Sequence, residues 1–437
     1  MAQERDELNR RRRSREEQRR RRQKAKRAMY FRLGMAAAVL ILCGVAIFLL
    51  SRDGANLSAP VMAPENGEPG IVEETVPVTE RLASWDKAPV TIHLAAAGDL
   101  NVTDKTVWSG QNGNMYDYTK AFMDVAPVLS QADLALLNFE GNVCGIPYGT
   151  ESRSAPQEMI AGLKQAGIDL VQMANSCSIS NGLIGLQSTL NNIRAMGIEP
   201  LGAFSSSAEF NRTKGYTVVT VNDVKIVFVA FTKGVGSLGL PAGSEDCVNL
   251  LYEDYYTTYQ KVNTEGIRSV LKAAAAEKPD LTIALLHWGS EHNDTISDTQ
   301  KDIVALMQKE GVDAIIGSHP HRVHEISYDE ITGNLVAYSL GDFFGDAKDS
   351  GTNYSIILDL EITKDYETGV TRITDYSYIP IYTLSEEDCD GDRRVVRVEN
   401  AVACYELNFV DKVTKSCYEA MKTGLDRISK RVQGKYS

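Results

Sequence analysis

Cysteine is scarce, seven in 437 residues, and none of the seven sits in a CxxC pair or a zinc-finger spacing. That sets aside a disulfide-dense scaffold and a thiolate-held metal. No segment repeats at a fixed period, which excludes a solenoid. Long, predominantly apolar uncharged runs are missing as well, with one exception at 33–50. With 43% hydrophobic and 24% charged residues, what remains is ordinary for a globular protein, and the length allows one large core with at most a small appendage.

Basic residues are also short, but unevenly. Residues 1–32 carry 14 Lys/Arg against 5 Asp/Glu, which leaves the rest of the chain 32 against 53, a balance of −21. The exceptional run LGMAAAVLILCGVAIFLL joins these two parts; as a helix its 18 residues extend about 27 Å, close to the hydrocarbon thickness of a bilayer. A cleaved signal peptide normally has a shorter apolar region, and Ser51-Arg52-Asp53 offers no small-x-small site. The expectation is an uncleaved transmembrane helix at 33–50. The preceding RRRRSREEQRRRRQKAKR then orients it, with a basic cytoplasmic segment at 1–32 and everything after the helix outside the cell membrane. Residues 51–89, rich in Pro, Glu, Gly and Ser, read as a disordered extracellular linker. Six cysteines follow the run, an even number that permits disulfides, and Cys389, Cys404 and Cys417 lie near enough in sequence for a local bridge.

Beyond the linker, short apolar runs alternate with helix-period segments, the pattern of strands buried in a largely parallel sheet with crossover helices. The expected strands are 90–97, 134–137, 170–173, 225–231, 281–286, 314–316 and 336–339. Helices are expected at 156–166, 185–196 and 264–277, with Gly167 and Gly197 as stops. The fold class is α/β. From 353 the text turns β-rich and then, over 410–432, helical, so 353–437 is either an extension of a domain at 90–352 or its closing edge.

Polar residues suited to metal or acid–base chemistry recur just after these runs: Asp99, Asn138 and Glu140, Asn175, His287 and Glu291, His319 and His321. In a parallel sheet the carboxyl ends of the strands share one edge, where such side chains converge. Five of the six histidines lie between His287 and His324. Imidazole with carboxylate suits Zn, Mn or Fe, and two such ions activate water and clamp a phosphoryl group. Alone, each residue has an ordinary alternative. Asp99 can cap a turn, Glu140 can be a loop acid, Asn175 can bond backbone and His287 can pack on Trp288. Two imidazoles flanking Pro320 at a strand exit are harder to explain by packing. His93, His292 and His324 read as surface or supporting residues.

Six segments in order, AAAGDLN, LLNFEGNV, IDLVQMANSCSISNGLIGLQSTLNNIRAMGIEPLGA, LLHWGSEH, VDAIIGSHPHRVHEI and VAYSLGDFF, resemble the CapA family of poly-γ-glutamate capsule proteins over about 90–346. The domain of that family is similar to calcineurin-like metallophosphatases. The resemblance implies a four-layer α-β-β-α sandwich with metal-type residues Asp99, Glu140, Asn175, His287, His319 and His321. It also implies a part in making, exporting or anchoring an anionic polymer at a bacterial cell surface. Two departures stand out. Where the family has Asn-Asn-His and then Asp, this chain has Asn175-Ser176-Cys177 and then Ser180, and Asp342 replaces the commoner Asn. A thiol replaces imidazole poorly as a proton donor, and losing general-acid help costs about 10²–10⁴ in rate.

Two functions follow as expectations. One is a hydrolase-type site on one or two divalent ions, with Glu140, Glu291 and His321 as catalytic groups. The other is a non-catalytic module that binds polymer or organises subunits of a membrane synthesis complex. Nucleic acid is not an expected partner, since a strongly acidic exterior repels a polyanion.

Overall fold

The computed structural model describes residues 87–436 apart from 237–238, 390 and 410–411. The expected transmembrane helix at 33–50, the basic segment before it and nearly all of the linker lie outside the described residues. Among the described residues no helix is long and apolar enough to cross a membrane.

Apart from a two-stranded hairpin, Gln111–Asn112 with Met115–Tyr116, the chain forms a mixed α/β fold on two sheets. The strands are β1 (Val90–Asn101), β2 (Leu134–Glu140), β3 (Leu170–Gln172), β4 (Glu199–Leu201), β5 (Tyr216–Val221), β6 (Val224–Thr232) and β7 (Leu281–His287). After them come β8 (Ala314–Ser318), β9 (Ile326–Tyr328), β10 (Leu335–Ala337), β11 (Asp342–Phe344), β12 (Tyr354–Asp365), β13 (Val370–Leu384) and β14 (Arg394–Arg397). The first sheet runs β14-β13-β12-β1-β2-β3-β4, with β11 pairing in parallel on the end of β1; the second runs β9-β10-β8-β7-β6-β5. β1 through β4 are parallel to one another, as are β6, β7, β8 and β10, so both sheets place their carboxyl ends together strand by strand.

Alternation along the strands of the second sheet divides the interior. Ile226, Phe228 and Ala230 of β6, Ile283 and Leu285 of β7, and Ile316 of β8 join one core with β1, β2 and β3. Their alternates Val227, Val229, Phe231, Ala284, Leu286 and Ile315 pack instead on α3 (Thr264–Ala275) and α4 (Asp298–Lys309). A period of two sends successive side chains to opposite faces, which is why these strands read as unbroken apolar runs. β5, at the sheet edge, lacks a fully buried residue along its length. Helices α1 (Gln157–Ala166) and α2 (Gly182–Ala195) add Met159, Leu163, Leu186 and Leu190 to the first core. α1 stops at Gly167, whose φ of 108° suits glycine, and Gly197 follows α2 at φ 70°.

The expected strands are found, most of them longer than the apolar runs. β1 continues four residues past 97, and β2 and β8 likewise extend into the polar residues that ended the expected runs. The expected helix at 410–432 is present as α6 (Lys415–Val432), preceded by α5 (Val398–Glu406). Residue 353 does not interrupt the sheet: β12 lies antiparallel beside β1, with Ile92 opposite Ile362 and Leu94 opposite Leu360, and β13 continues from it. The local bridge left open among the C-terminal cysteines is absent, since Cys404 and Cys417 are free thiols.

Candidate metal centre

β1 delivers Asp99 to the carboxyl edge of the first sheet, β2 delivers Asn138 and Glu140, and the segment after β3 delivers Asn175; all four side chains are buried. From the second sheet come His287 at the end of β7 and His319 and His321 just after β8, also buried. Two glycines make this approach possible. A Cβ on Gly98 would lie 1.8 Å from the Gly341 carbonyl oxygen, and one on Gly317 would lie 2.1 Å from that of Tyr338. Gly98 thus lets the Asp99 amide donate to Gly341 O at 2.9 Å, tying the strand end to the turn before β11.

Asn138 joins the donor groups. Its Nδ2 donates to Asp99 Oδ1 at 2.7 Å and Glu140 Oε1 at 3.1 Å, and lies 3.4 Å from His287 Nδ1. Asn175 Nδ2 donates to Asn138 Oδ1 at 3.0 Å and to the Phe139 carbonyl at 2.8 Å, while its Oδ1 accepts from the Cys177 amide. Asn175 therefore fixes Asn138 and retains a spare oxygen lone pair. The His319 amide donates to Asp99 Oδ2 at 3.0 Å. Asp342 Oδ1 sits 2.8 Å from His321 Nδ1, which orients the ring and leaves its other nitrogen for a ligand. The His287 and His319 ring centroids are 4.4 Å apart. His319 and His321 hold φ of 93° and 59°, backbone conformations that cost about 1–3 kcal/mol each and persist only where surrounding structure enforces them.

One ligand atom each from Asp99, Glu140 and His321 fall within 4.8 Å of one another, and so do those from Glu291, His319 and His321. His321 bridges the two groups. Exposed Glu291 enters only the second; His287 enters neither, but lies beside both His319 and Glu140, its Nδ1 3.6 Å from Glu140 Oε1. Asn175 touches the cluster through Asn138.

The electrostatics fit a cation. Burial lifts Asp99 to about 6, with His321 opposing and Asp342 reinforcing the shift. Glu140 rises to about 8 by burial, which the attraction of His321 only partly offsets and repulsion from Asp99 adds to. Burial pulls His321 downward, yet Asp342, Glu140 and Asp99 together hold it well above the ordinary imidazole range. His287 and His319 are pushed well below that range, by burial first and by neighbouring cationic groups second. They are neutral bases, the ligand form of imidazole. His287 Nε2 and His319 Nδ1 are buried without a hydrogen-bond partner, a state that costs free energy unless an electrophile faces them. Carboxylates short of positive charge beside neutral imidazoles short of a partner form a donor set suited to a divalent ion.

Lys233, Ser176 and Tyr259 share with Glu291 and His319 the wall of an adjoining cavity of about 260 Å³. Lys233 donates to the Gly289 carbonyl at 2.6 Å, sits 4.7 Å from the Tyr259 ring centroid, and has its ammonium pKa lowered by burial. Sequence reasoning passed over Lys233, although it follows β6 as His319 follows β8, and the strand-end rule finds it. The pairing of Asp342 with His321 had no such signal, because it depends on the loop that separates them. His93 lies at the opposite end of β1, where it pairs with Asp359 at 3.1 Å. The His292 ring stands 5.4 Å from that of His321, and His324 is buried.

Two proteins carry related sequences. A capsule biosynthesis protein CapA of Bacillus anthracis is 25% identical over 270 residues, covering 60% of this chain and 62% of that protein. A PGA biosynthesis protein CapA of Bacillus subtilis is 25% identical over 268 residues, 58% of this chain and 63% of that protein. The match thus spans less than two thirds of either relative. Among solved structures, a phosphatase of Mycoplasma pneumoniae superposes with a TM-score of 0.40 at 16% identity, over 67% of this chain and 94% of that one. A calcineurin-like phosphoesterase of Bacillus subtilis gives 0.39 at 15%, over 79% and 98%. Residues 93–347 match the family described as bacterial capsule synthesis protein PGA_cap, and on that match the chain belongs to this family.

Proposed function

We propose that the chain is a membrane-anchored, outward-facing member of a capsule-synthesis apparatus, in which a four-layer metallophosphatase-like sandwich handles poly-γ-glutamate or a similar anionic polymer at a divalent metal centre. The observation that carries the metal reading is the meeting of Asp99, Glu140, His287, His319 and His321, drawn from two sheets, with two imidazole nitrogens unpartnered. Asp99 and Glu140 would hold one ion and His319 with Glu291 a second, the one free nitrogen of His321 serving either set, and His287 and Asn175 would complete or position them. Bound Zn, Mn or Fe supplies a Lewis acid and lowers the pKa of water. The protein's own part is to hold His319 and His321 neutral or paired as required, to keep the donors dry, and to present Glu291 and Lys233 to whatever occupies the cavity. The CapA relatives support the capsule role; the unbroken apolar run at 33–50 and the basic residues before it support the anchor.

One observation favours the non-catalytic alternative. Cys177 is buried, and burial first and Glu140 second raise its thiol to about 11, so it stays protonated and donates a proton reluctantly at neutral pH. The test uses the purified full-length chain, offered a γ-linked glutamate oligomer and a phosphate monoester. A metal-dependent hydrolase turns over at least one of them, loses turnover to chelator, and gains about 10²-fold or more in a Cys177→His variant. No turnover in either form, with metal bound, contradicts the catalytic reading and leaves polymer binding or assembly as the function.

A further inference from the structure

Outside the first 32 residues the chain is acidic by 21 charges, a poor surface for a polycarboxylate. The C-terminal helix reverses this locally. α6 starts on a Thr414 cap and buries Cys417, Met421, Gly424, Ile428 and Val432, a stripe at helical spacing. Gly424 fits against Tyr354: a Cβ there would come 3.4 Å from that ring. With this face down, Arg427, Arg431 and, beyond the helix, Lys435 line a cavity of about 260 Å³ whose opposite wall includes Arg322 and Asp294.

Four cations thus surround one acid. Asp294 is fully engaged by Arg431, at 2.6 and 3.0 Å, with Arg322 at 3.4 Å. Arg322 Nε is buried without a partner. Arg427 and Lys435 are exposed. Glu325 borders the cavity near Gly434, where a Cβ would fall 2.8 Å from its Oε2, so the local balance stays positive when it is counted. A second cavity, of about 400 Å³, shares Arg427, Tyr354, Ser350 and Gly351 with the first and adds Lys348 and Asp349. The two cavities thus lie side by side across these shared residues and together offer more room than a pit for one small anion. The groove adjoins the metal centre through the chain itself: Arg322 follows His321, and Asp349 lies 3.6 Å from His292 Nε2, whose ring neighbours that of His321.

We propose that the groove between α6 and residues 348–354 binds successive carboxylates of an anionic polymer and holds that chain beside the metal centre. Guanidinium forks pair with carboxylates bidentately, and exposed Arg427, with Lys435 on the same cavity, has donors to offer. The identity of the polymer rests on the capsule reading above; the positive groove does not.

The test is fluorescence anisotropy of a labelled γ-linked glutamate decamer with the full-length chain. The expected result is salt-sensitive binding, weakened about tenfold or more in an Arg427→Glu/Lys435→Glu variant whose metal content matches the parent's, and retained in Asp99→Ala. Both substituted positions are exposed, so folding is preserved and a thermal melt confirms it. Parental affinity in the double variant overturns the proposal. So does complete displacement of the decamer by an equal concentration of inorganic phosphate, which would make this a small-anion site. Absence of decamer binding alongside normal metal loading overturns the groove alone and leaves the metal centre standing.

Discussion

His324 shows how one buried ring registers pH. Its Nε2–H donates to the Asn293 carbonyl at 2.9 Å, and its Nδ1 is buried with no partner. Burial chiefly, with Arg431 and Arg322 nearby, lowers its pKa from the ordinary 6.5 to about 4. Between those values the unfolded chain binds a proton that the folded chain refuses, so stability is full above 6.5 and falls as pH drops toward 4. The loss between pH 7 and pH 5 is about 2 kcal/mol for a shift of this size. Urea unfolding at the two pH values measures it. His324→Gln, which keeps an amide donor for Asn293, should lose about 2 kcal/mol less than the parent over that interval; an equal loss contradicts the assignment.

At the scale of elements, the strand ends decide the chemistry. β1 carries Asp99 only because Gly98 lets β1 meet the turn at Gly341, and β8 carries His319 because Gly317 lets Tyr338 approach. A methyl on Gly98 has a backbone carbonyl 1.8 Å away and no flexible neighbour to displace, so Gly98→Ala should destabilise by about 3 kcal/mol or more. Gly239→Ala, whose Cβ would have its nearest neighbour at 3.8 Å, should stay within about 0.5 kcal/mol. Paired denaturation curves decide this, and equal effects would mean that the close approach does not constrain β1. These elements also show what a sequence discloses. The apolar runs announced β2, β7 and β8 because strands buried on both faces need little else. The expected ends fell short at 97, 137 and 316, because polar residues there normally signal a turn. In this fold those residues are the site, and the strands run on into them.

At the scale of the molecule, the centre exists because two sheets meet. Asp99, Asn138, Glu140 and Asn175 come from the first, and His287, His319 and His321 from the second. The hydrogen bonds that join these residues span 37 positions from Asn175 to Asn138 and 220 from His319 to Asp99. Residue types and strand-end positions revealed the members. Which of them lie close enough to share an ion, that Asn138 joins them, and that Asp342 holds His321 follow from how the sheets pack, which no local pattern encodes. The place of 353–437 was left open between an extension and a closing edge: β12 lies beside β1, and α6 lines the basic cavity.

The proposed centre requires that these donors hold a divalent cation. Elemental analysis of the purified full-length chain, with anomalous scattering to locate any ion, tests it most directly. The expected result is one or two equivalents of Zn, Mn or Fe, ligated at about 2.0–2.2 Å by Asp99, Glu140, His319 and His321, with at least one equivalent lost in Asp99→Ala and in His321→Ala. A chain that stays metal-free when all three ions are supplied, or keeps its metal in both variants, contradicts it.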